Sequence, residues 1–197
     1  YPFMQGESIE SFAARFIASK SSILILIGPP GTAKTNFIRQ MLRATNESVL
    51  ITYSDDLKKT DKLFSHFYDS QEKYLVIEDA DTFIERREDG NSNMKQLLNI
   101  TDGLTANPEK KVIFSVNLPN LNKADPALVR SGRCYAILRF SKLYGEDLEK
   151  AMDDIGMEHF VDIDVSNGFT IAELFAIKNG EQLDDIESSI SFGFNSN

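Results

Sequence analysis

The chain has 197 residues, of which 42% are hydrophobic and 26% charged, and its formal net charge is −9. Its length allows one α/β domain with a small appendage, and its single cysteine, Cys134, excludes an internal disulfide framework and a cysteine-rich zinc site. The negative charge argues against a broad nucleic-acid-binding face, because affinity for phosphates requires clustered lysines and arginines.

The charge is unevenly distributed along the chain. Residues 141–197 carry 3 basic and 13 acidic side chains, whereas residues 1–140 carry 18 and 17. This shift predicts a domain boundary near residue 141 and a solvated acidic surface beyond it. No apolar run approaches the roughly 18 residues that span a bilayer, and no signal segment opens the chain, so we expect a cytoplasmic protein without a membrane segment. Because the sequence begins at Tyr1, we expect that residues upstream of it have been removed.

Short strands alternate with helices over the first 140 residues. The predicted strands are Ile23–Ile27, Val49–Tyr53 and residues 74–77, 112–116 and 135–140. Their near-continuous apolar character is typical of strands that are buried on both faces. Apolar stripes at helical spacing lie between them, at positions 37, 38, 41 and 42, at positions 63, 64, 67 and 68, and at positions 94, 97 and 98. This alternation predicts a parallel, doubly wound sheet.

The acidic C-terminal part is predicted to be helical. One stripe comprises positions 148, 151, 152 and 155. A second helix follows Thr170 and Glu173, whose spacing is that of a capping box. We therefore divide the chain into an α/β domain (residues 1–140), a small helical domain (141–180) and a polar, mobile tail (181–197).

A glycine-containing loop joins the first predicted strand to the first helix of the domain. Its sequence is Gly28-Pro29-Pro30-Gly31-Thr32-Ala33-Lys34-Thr35. A loop of this type wraps backbone N–H groups around phosphates at a helix N-terminus. Lys34 is then expected to reach the β- and γ-phosphates, and the Thr35 hydroxyl to bind Mg²⁺. Ala33 stands where the usual motif has glycine, which matters if that position requires a positive φ.

Carboxylates follow the third predicted strand. Glu78, Asp79 and Asp81 come directly after the apolar residues 74–77. At the carboxyl edge of a sheet, next to a phosphate-binding loop, such groups can hold Mg²⁺ and orient a nucleophilic water. By position, Glu78 takes the metal role and Asp79 the water-polarising role.

The stretch after the fourth predicted strand identifies the type of P-loop protein. The strand ends at Asn117, and it is followed by Asp125-Pro126-Ala127-Leu128-Val129-Arg130-Ser131-Gly132-Arg133. Together with the loop and the carboxylates, this set resembles the AAA+ superfamily of ATPases. The resemblance implies a P-loop sheet of strand order 5-1-4-3-2 with a small C-terminal helical lid. It also implies ATP and Mg²⁺ as cofactors and a ring of subunits, six by default.

The resemblance also implies residue roles. Asn117 would help to place the attacking water, and Arg133 would be the arginine finger that reaches a neighbouring subunit's γ-phosphate. Arg130 is assigned a structural role. Residues 168–174 resemble the segment that lies by the adenine in AAA lids, which makes Gly168 and Ala172 candidate nucleotide contacts.

Two local likenesses compete within the superfamily. Residues 97–103, the Glu-Asp order at positions 78 and 79 and the short run 51–69 resemble the mitochondrial AAA proteins that translocate the folded Rieske subunit. Residues 131–134 and 138–143 are instead similar to clamp-loader subunits. The lid holds no Gly-Asp-x-Arg sequence, which favours the first likeness.

Three functions remain open at this point. An AAA+ ring that hydrolyses ATP to remodel or move a macromolecular partner is favoured. The loop at residues 54–59 lacks an aromatic–glycine pair, so we expect that the ring does not thread unfolded chains and that residues 85–92 face a partner. The second function is an assembly switch, or clamp-loader-like subunit, that binds ATP and hydrolyses it slowly. The third, a P-loop kinase, is disfavoured because residues 141–197 contain no arginine for its lid.

Overall fold

The computed structural model describes residues 1–53, 63–85, 94, 97–98, 101, 107–157 and 165–181. The helices are α1 (Ile9–Ala18), α2 (Lys34–Thr45), α3 (Leu63–Asp69), α4 (Gly145–Asp154) and α5 (Ile171–Lys178). The strands are β1 (Ile23–Ile27), β2 (Val49–Tyr53), β3 (Tyr74–Glu78), β4 (Lys111–Val116) and β5 (Cys134–Arg139). Short 3₁₀ turns lie at Pro2–Met4 and Val165–Asn167.

The five strands form one sheet in the order β2-β3-β4-β1-β5, and every neighbouring pair is parallel. Read from the other edge, this is the predicted order 5-1-4-3-2. The predicted parallel α/β sheet is therefore confirmed, and each strand begins and ends within one residue of its prediction.

Strand β1 lies inside the sheet, and its side chains alternate between two hydrophobic cores. Ile23, Ile25 and Ile27 point to the core on one face, and Leu24 and Leu26 point to the core on the other. The first core also contains buried residues of α3 together with positions 94, 97 and 98. The second contains the apolar faces of α1 and α2. Helices thus cover both faces, which explains why all five β1 residues are apolar.

The described chain forms two compact units. Of the described residues, the first unit comprises those in Tyr1–Pro29 and Lys34–Phe140, and the second comprises Pro30–Ala33 and those from Ser141 onward. The second unit has its own core of Leu148, Met157, Phe169 and Leu174. That this unit acts as a lid, with the boundaries stated above, stays a prediction.

Helix α5 begins at the predicted capping box. The Thr170 hydroxyl accepts the Glu173 N–H at 3.2 Å, and the Glu173 carboxylate accepts the Thr170 N–H at 2.6 Å. Two otherwise unsatisfied helix N-terminal donors are bonded in this way, so the capping prediction is confirmed.

None of the helices in the described part of the chain has both the length and the apolar character needed to cross a bilayer. The predicted loop at residues 54–59, most of the loop at 85–92 and the tail at 182–197 lie outside the described residues.

Candidate active site

The candidate site is built on the loop that connects β1 to α2. Lys34 is the first residue of α2, a helix of 12 residues, so the loop delivers its backbone N–H groups to a helix N-terminus. Gly28 and Gly31 have φ values of 149° and 76°. The Gly28 N–H donates to the Val116 carbonyl at 3.2 Å, which anchors the start of the loop to the end of β4. Among the remaining loop residues, Pro29 and Pro30 are exposed, Thr32 is buried and Thr35 is half-buried.

Gly28 is required where it stands because the backbone of Phe140 passes directly over it. A Cβ at Gly28 would lie 2.1 Å from the Phe140 carbonyl oxygen. Gly28→Ala is expected to destabilise the protein by at least about 2 kcal/mol, through overpacking and an unfavourable φ, as measured by denaturant unfolding. Gly6→Ala is the matched control, because Gly6 also has a positive φ but a Cβ added there would meet nothing within 4 Å. Equal effects of the two substitutions would contradict the close approach.

Ala33 adopts the left-handed backbone conformation that the glycine of the usual motif would adopt. Its φ is 72°. A residue with a Cβ atom is destabilised by roughly 1 kcal/mol in this conformation. We therefore expect Ala33→Gly to stabilise the protein by about 1 kcal/mol, which raises Tm by about 2–4 °C. Ala14→Gly, at an exposed right-handed position inside α1, should lower Tm instead. A lower Tm for both variants would show that Ala33 is not strained.

The Lys34 ammonium lies inside the loop. Its side chain is buried, and Nζ donates to the carbonyls of Gly28 at 2.6 Å and Pro29 at 2.8 Å. Burial lowers the pKa of Lys34, while the negative charges of Asp81, Asp79 and Glu78 act in the opposite direction. A buried cation in a loop of backbone donors is suited to a polyanion.

Thr35 and Glu78 meet across the carboxyl edge of the sheet. The Thr35 hydroxyl donates to the Glu78 carboxylate at 2.9 Å. Both groups offer hard oxygen ligands, and Mg²⁺ is usually held by one or two carboxylates with the remaining positions taken by water and phosphate. No group of three or more His, Cys, Asp or Glu side chains suited to a metal occurs among the described residues. The residues present therefore fit Mg²⁺ bound together with a nucleotide.

Asp79 and Asn117 also meet, at the ends of the adjacent strands β3 and β4. The Asn117 side-chain amide donates to Asp79 Oδ1 at 2.8 Å. Asp79 is exposed and has a φ of 50°, so its carboxylate sits on a left-handed turn directly after the strand. Asp81, which received no role from the sequence, accepts the Asn117 backbone N–H through its carboxylate at 2.9 Å. The sequence pointed to Asp81 solely as one of the three carboxylates that follow the apolar residues 74–77.

The two arginines of the segment before β5 differ in exposure. Arg133 is buried, and its guanidinium donates to the Ala127 carbonyl of the same segment. Arg130 is exposed. Asp125 holds the start of this segment, because its N–H donates to the Ile84 carbonyl and its carboxylate accepts the Ala127 N–H, both at 2.8 Å. The segment is thus a fixed turn with Arg130 on its surface, and the finger role of Arg133 stays a prediction.

The two lid candidates lie in the second unit. The Ala172 N–H donates to the carbonyl of Gly31, a residue of the same unit, at 3.0 Å. Gly168 is covered by the Tyr144 ring, since a Cβ at Gly168 would lie 2.4 Å from a ring carbon. Nucleotide contact by Gly168 and Ala172 stays a prediction.

Comparison with known proteins agrees with this geometry. Residues 24–142 match the model of the ATPase family associated with various cellular activities (AAA). The chain is similar to a probable mitochondrial chaperone bcs1 of Schizosaccharomyces pombe, with 27% identity over 87% of this chain and 44% of the relative. It is also similar to 26S proteasome regulatory subunit 8 of Caenorhabditis elegans, with 29% identity over 84% of this chain and 42% of the relative.

A third relative is the proteasome-activating nucleotidase of Methanococcus vannielii, with 23% identity over 81% of this chain and 47% of the relative. The chain therefore spans less than half the length of these relatives. The relative from Schizosaccharomyces pombe agrees with the first of the two local likenesses in the sequence, and the clamp-loader likeness stays a prediction.

Proposed function

The chain belongs to the AAA family of ATPases, and from this premise we propose that it works in a ring of subunits, six by default, that remodels or moves a protein partner. As a member of that family it is an ATP-hydrolysing domain. One observation carries the ATP-hydrolysing part of this proposal. The buried Lys34 ammonium, the Thr35–Glu78 pair and the Asn117–Asp79 pair all lie where β1, β3 and β4 end.

The roles within one subunit follow from the chemistry of these groups. The loop N–H groups donate hydrogen bonds to the α- and β-phosphates of ATP, and the Lys34 ammonium neutralises charge on the β- and γ-phosphates. Thr35 and Glu78 hold Mg²⁺, which when bound supplies positive charge at the phosphate oxygens. Asp79 and Asn117 orient the attacking water, with the carboxylate as proton acceptor. Because Asp79 is exposed, this carboxylate is accessible to water.

The neighbouring subunit completes the site with an arginine. Hydrolysis places charge on the equatorial oxygens of the transferred phosphoryl group, and an arginine supplied in trans stabilises that charge. We propose that the segment at residues 125–133 supplies it. Arg130 is available without rearrangement, whereas Arg133 must first break its hydrogen bond to Ala127.

The test of this function is the rate of phosphate release per subunit as the protein concentration is raised. A ring that completes its sites in trans should show a rate that climbs with concentration and then reaches a plateau. A measurable rate that does not change with concentration would show that each subunit works alone.

A slow assembly switch is the second candidate function. The observation that favours it is the strained Ala33 in the phosphate loop, with a φ of 72°. Tight ATP binding and ATP-dependent assembly, with near-zero phosphate release at every concentration, would favour this switch over the remodelling ATPase.

The compartment is also a proposal. We propose a cytoplasmic location, although the relatives include a protein named as a mitochondrial chaperone. Microscopy of the tagged protein in its own cells tests it, and a mitochondrial signal would overturn it.

A further inference from the structure

A strained turn follows β3, and hydrogen bonds to the end of β4 hold it in place. Asp79 has a φ of 50°, a conformation that persists only where the surroundings enforce it. The Ala80 N–H donates to the Ser115 carbonyl at 2.9 Å, and Asp81 Oδ1 accepts the Asn117 N–H at 2.9 Å. The turn is therefore attached to the end of β4 at two consecutive residues, Ala80 and Asp81.

Asn117 is consequently held at two points. Its backbone N–H is bonded to Asp81, and its side-chain amide is bonded to Asp79 at 2.8 Å. Asn117 directly follows the last residue of β4, where the strand ladder no longer fixes its orientation. The hydrogen bond to Asp81 therefore fixes the Asn117 backbone in place of the strand hydrogen bonds, at the residue whose side chain is bonded to Asp79.

We propose that Asp81 is a positioning residue for ATP hydrolysis, which fixes the backbone of Asn117 so that the Asn117 amide stays on Asp79. The inference rests on the proposed function, since it assigns to Asp81 the orientation of the pair that places the attacking water. A second effect of Asp81 must be separated from this one, because its charge also acts on Lys34.

Two substitutions separate the hydrogen bond from the charge. Asp81→Asn keeps an oxygen that can accept the Asn117 N–H but removes the charge, whereas Asp81→Ala removes both. In the full protein, Asp81→Ala is expected to lower kcat about 10–100-fold, because small misplacements at a reacting centre have effects of this size. The KM for ATP should change less than about threefold, since the Lys34 and Thr35 side chains that would bind the phosphates and Mg²⁺ are both kept.

The asparagine variant should retain kcat to within about threefold. If it loses as much activity as the alanine variant, the charge near Lys34 is what matters and the proposal is overturned. Asp69→Ala is the matched control, because it makes the same change at an exposed position that precedes the start of β3. It should leave kcat and KM unchanged.

A double variant tests whether Asp81 acts through Asn117. If it does, Asn117→Ala combined with Asp81→Ala should be no slower than Asn117→Ala alone, to within about twofold. Effects that multiply would show that Asp81 acts independently, and the proposal would be wrong. A merely structural role predicts multiplication together with a lower Tm.

Hydrogen exchange gives a readout that does not depend on turnover. The Asn117 amide should exchange faster in Asp81→Ala than in the wild type, because it has lost its acceptor. Unchanged exchange would overturn the inference alone and would leave the proposed ATPase intact. Wild-type protein that binds ATP and never releases phosphate would instead refute the proposed function, whatever the exchange shows.

Discussion

Replacing Lys34 with alanine is expected to lower the rate of ATP hydrolysis about 10²–10³-fold, the loss typical of removing one preorganised group that stabilises developing charge. The buried ammonium is bonded to the Gly28 and Pro29 carbonyls, so it is already inside the loop that would receive the phosphates. ATP affinity should fall as well, because the same charge neutralises the ground state. Phosphate release and nucleotide titration measure the two effects.

Arg39→Ala is the control for this prediction. Arg39 is an exposed cation on the same helix, and its removal changes the net charge of the protein by the same amount. It should leave hydrolysis unchanged. Equal losses in the two variants would mean that Lys34 acts through general charge and not through a phosphate contact.

The largest effect on the rate of ATP hydrolysis is expected from the arginines in the segment at residues 125–133. A trans arginine contributes roughly 10³–10⁵ to the rate of phosphoryl transfer. We expect Arg130→Ala to remove most of that factor without lowering Tm, because the side chain is exposed. Arg133→Ala should remove hydrolysis and also destabilise the protein by about 1–3 kcal/mol, since it leaves the Ala127 carbonyl without its buried donor.

Phosphate release and thermal unfolding, measured on both variants, assign the roles. Loss of activity in Arg133→Ala with full activity in Arg130→Ala would make Arg133 the sole finger, as the sequence predicted. Full activity in both variants would exclude this segment from catalysis. Arg43→Ala, at an exposed position near the end of α2, controls for charge.

The fold was predictable because its signals are local. β1 is a run of five apolar residues, and all of them are buried between two helical layers. The phosphate loop is contiguous with that strand and with α2, so strand, loop and helix could be located together. The Thr170–Glu173 capping box spans a single helical turn. None of these three predictions needed knowledge of distant contacts.

Features that depend on contacts between residues far apart in the chain could not be predicted from the sequence. β4 was predicted to begin at Val112, the first residue of its apolar run, and a lysine is seldom fully buried. The structure instead buries Lys111 in the strand, where its ammonium donates to the Ser19 and Ser21 carbonyls. Burial lowers its pKa to about 8. The acceptors lie about 90 positions away in the sequence, so no local pattern reveals them.

The candidate site shows the same division. The sequence located the Glu78 and Asp79 carboxylates and Asn117, because each lies at the end of a strand or directly after it. It could not show that Asp81 bonds the Asn117 backbone across 36 positions. Nor could it show which of the two arginines is buried, since Arg130 and Arg133 share one motif and differ only in tertiary packing.

Mixing two inactive variants tests directly whether one subunit completes the active site of the next, as we propose. Asp79→Asn disables its own site but keeps its arginines, and asparagine tolerates the left-handed conformation found at this position. Arg130→Ala keeps its own site but offers its neighbour no exposed arginine from the segment at residues 125–133.

Each variant alone should release almost no phosphate. An equal mixture should recover about a quarter of the wild-type rate per subunit, the fraction of interfaces that random assembly in a ring makes complete. A mixture that stays as inactive as its two components would contradict catalysis in trans by Arg130, and with it the claim that neighbouring subunits share each active site.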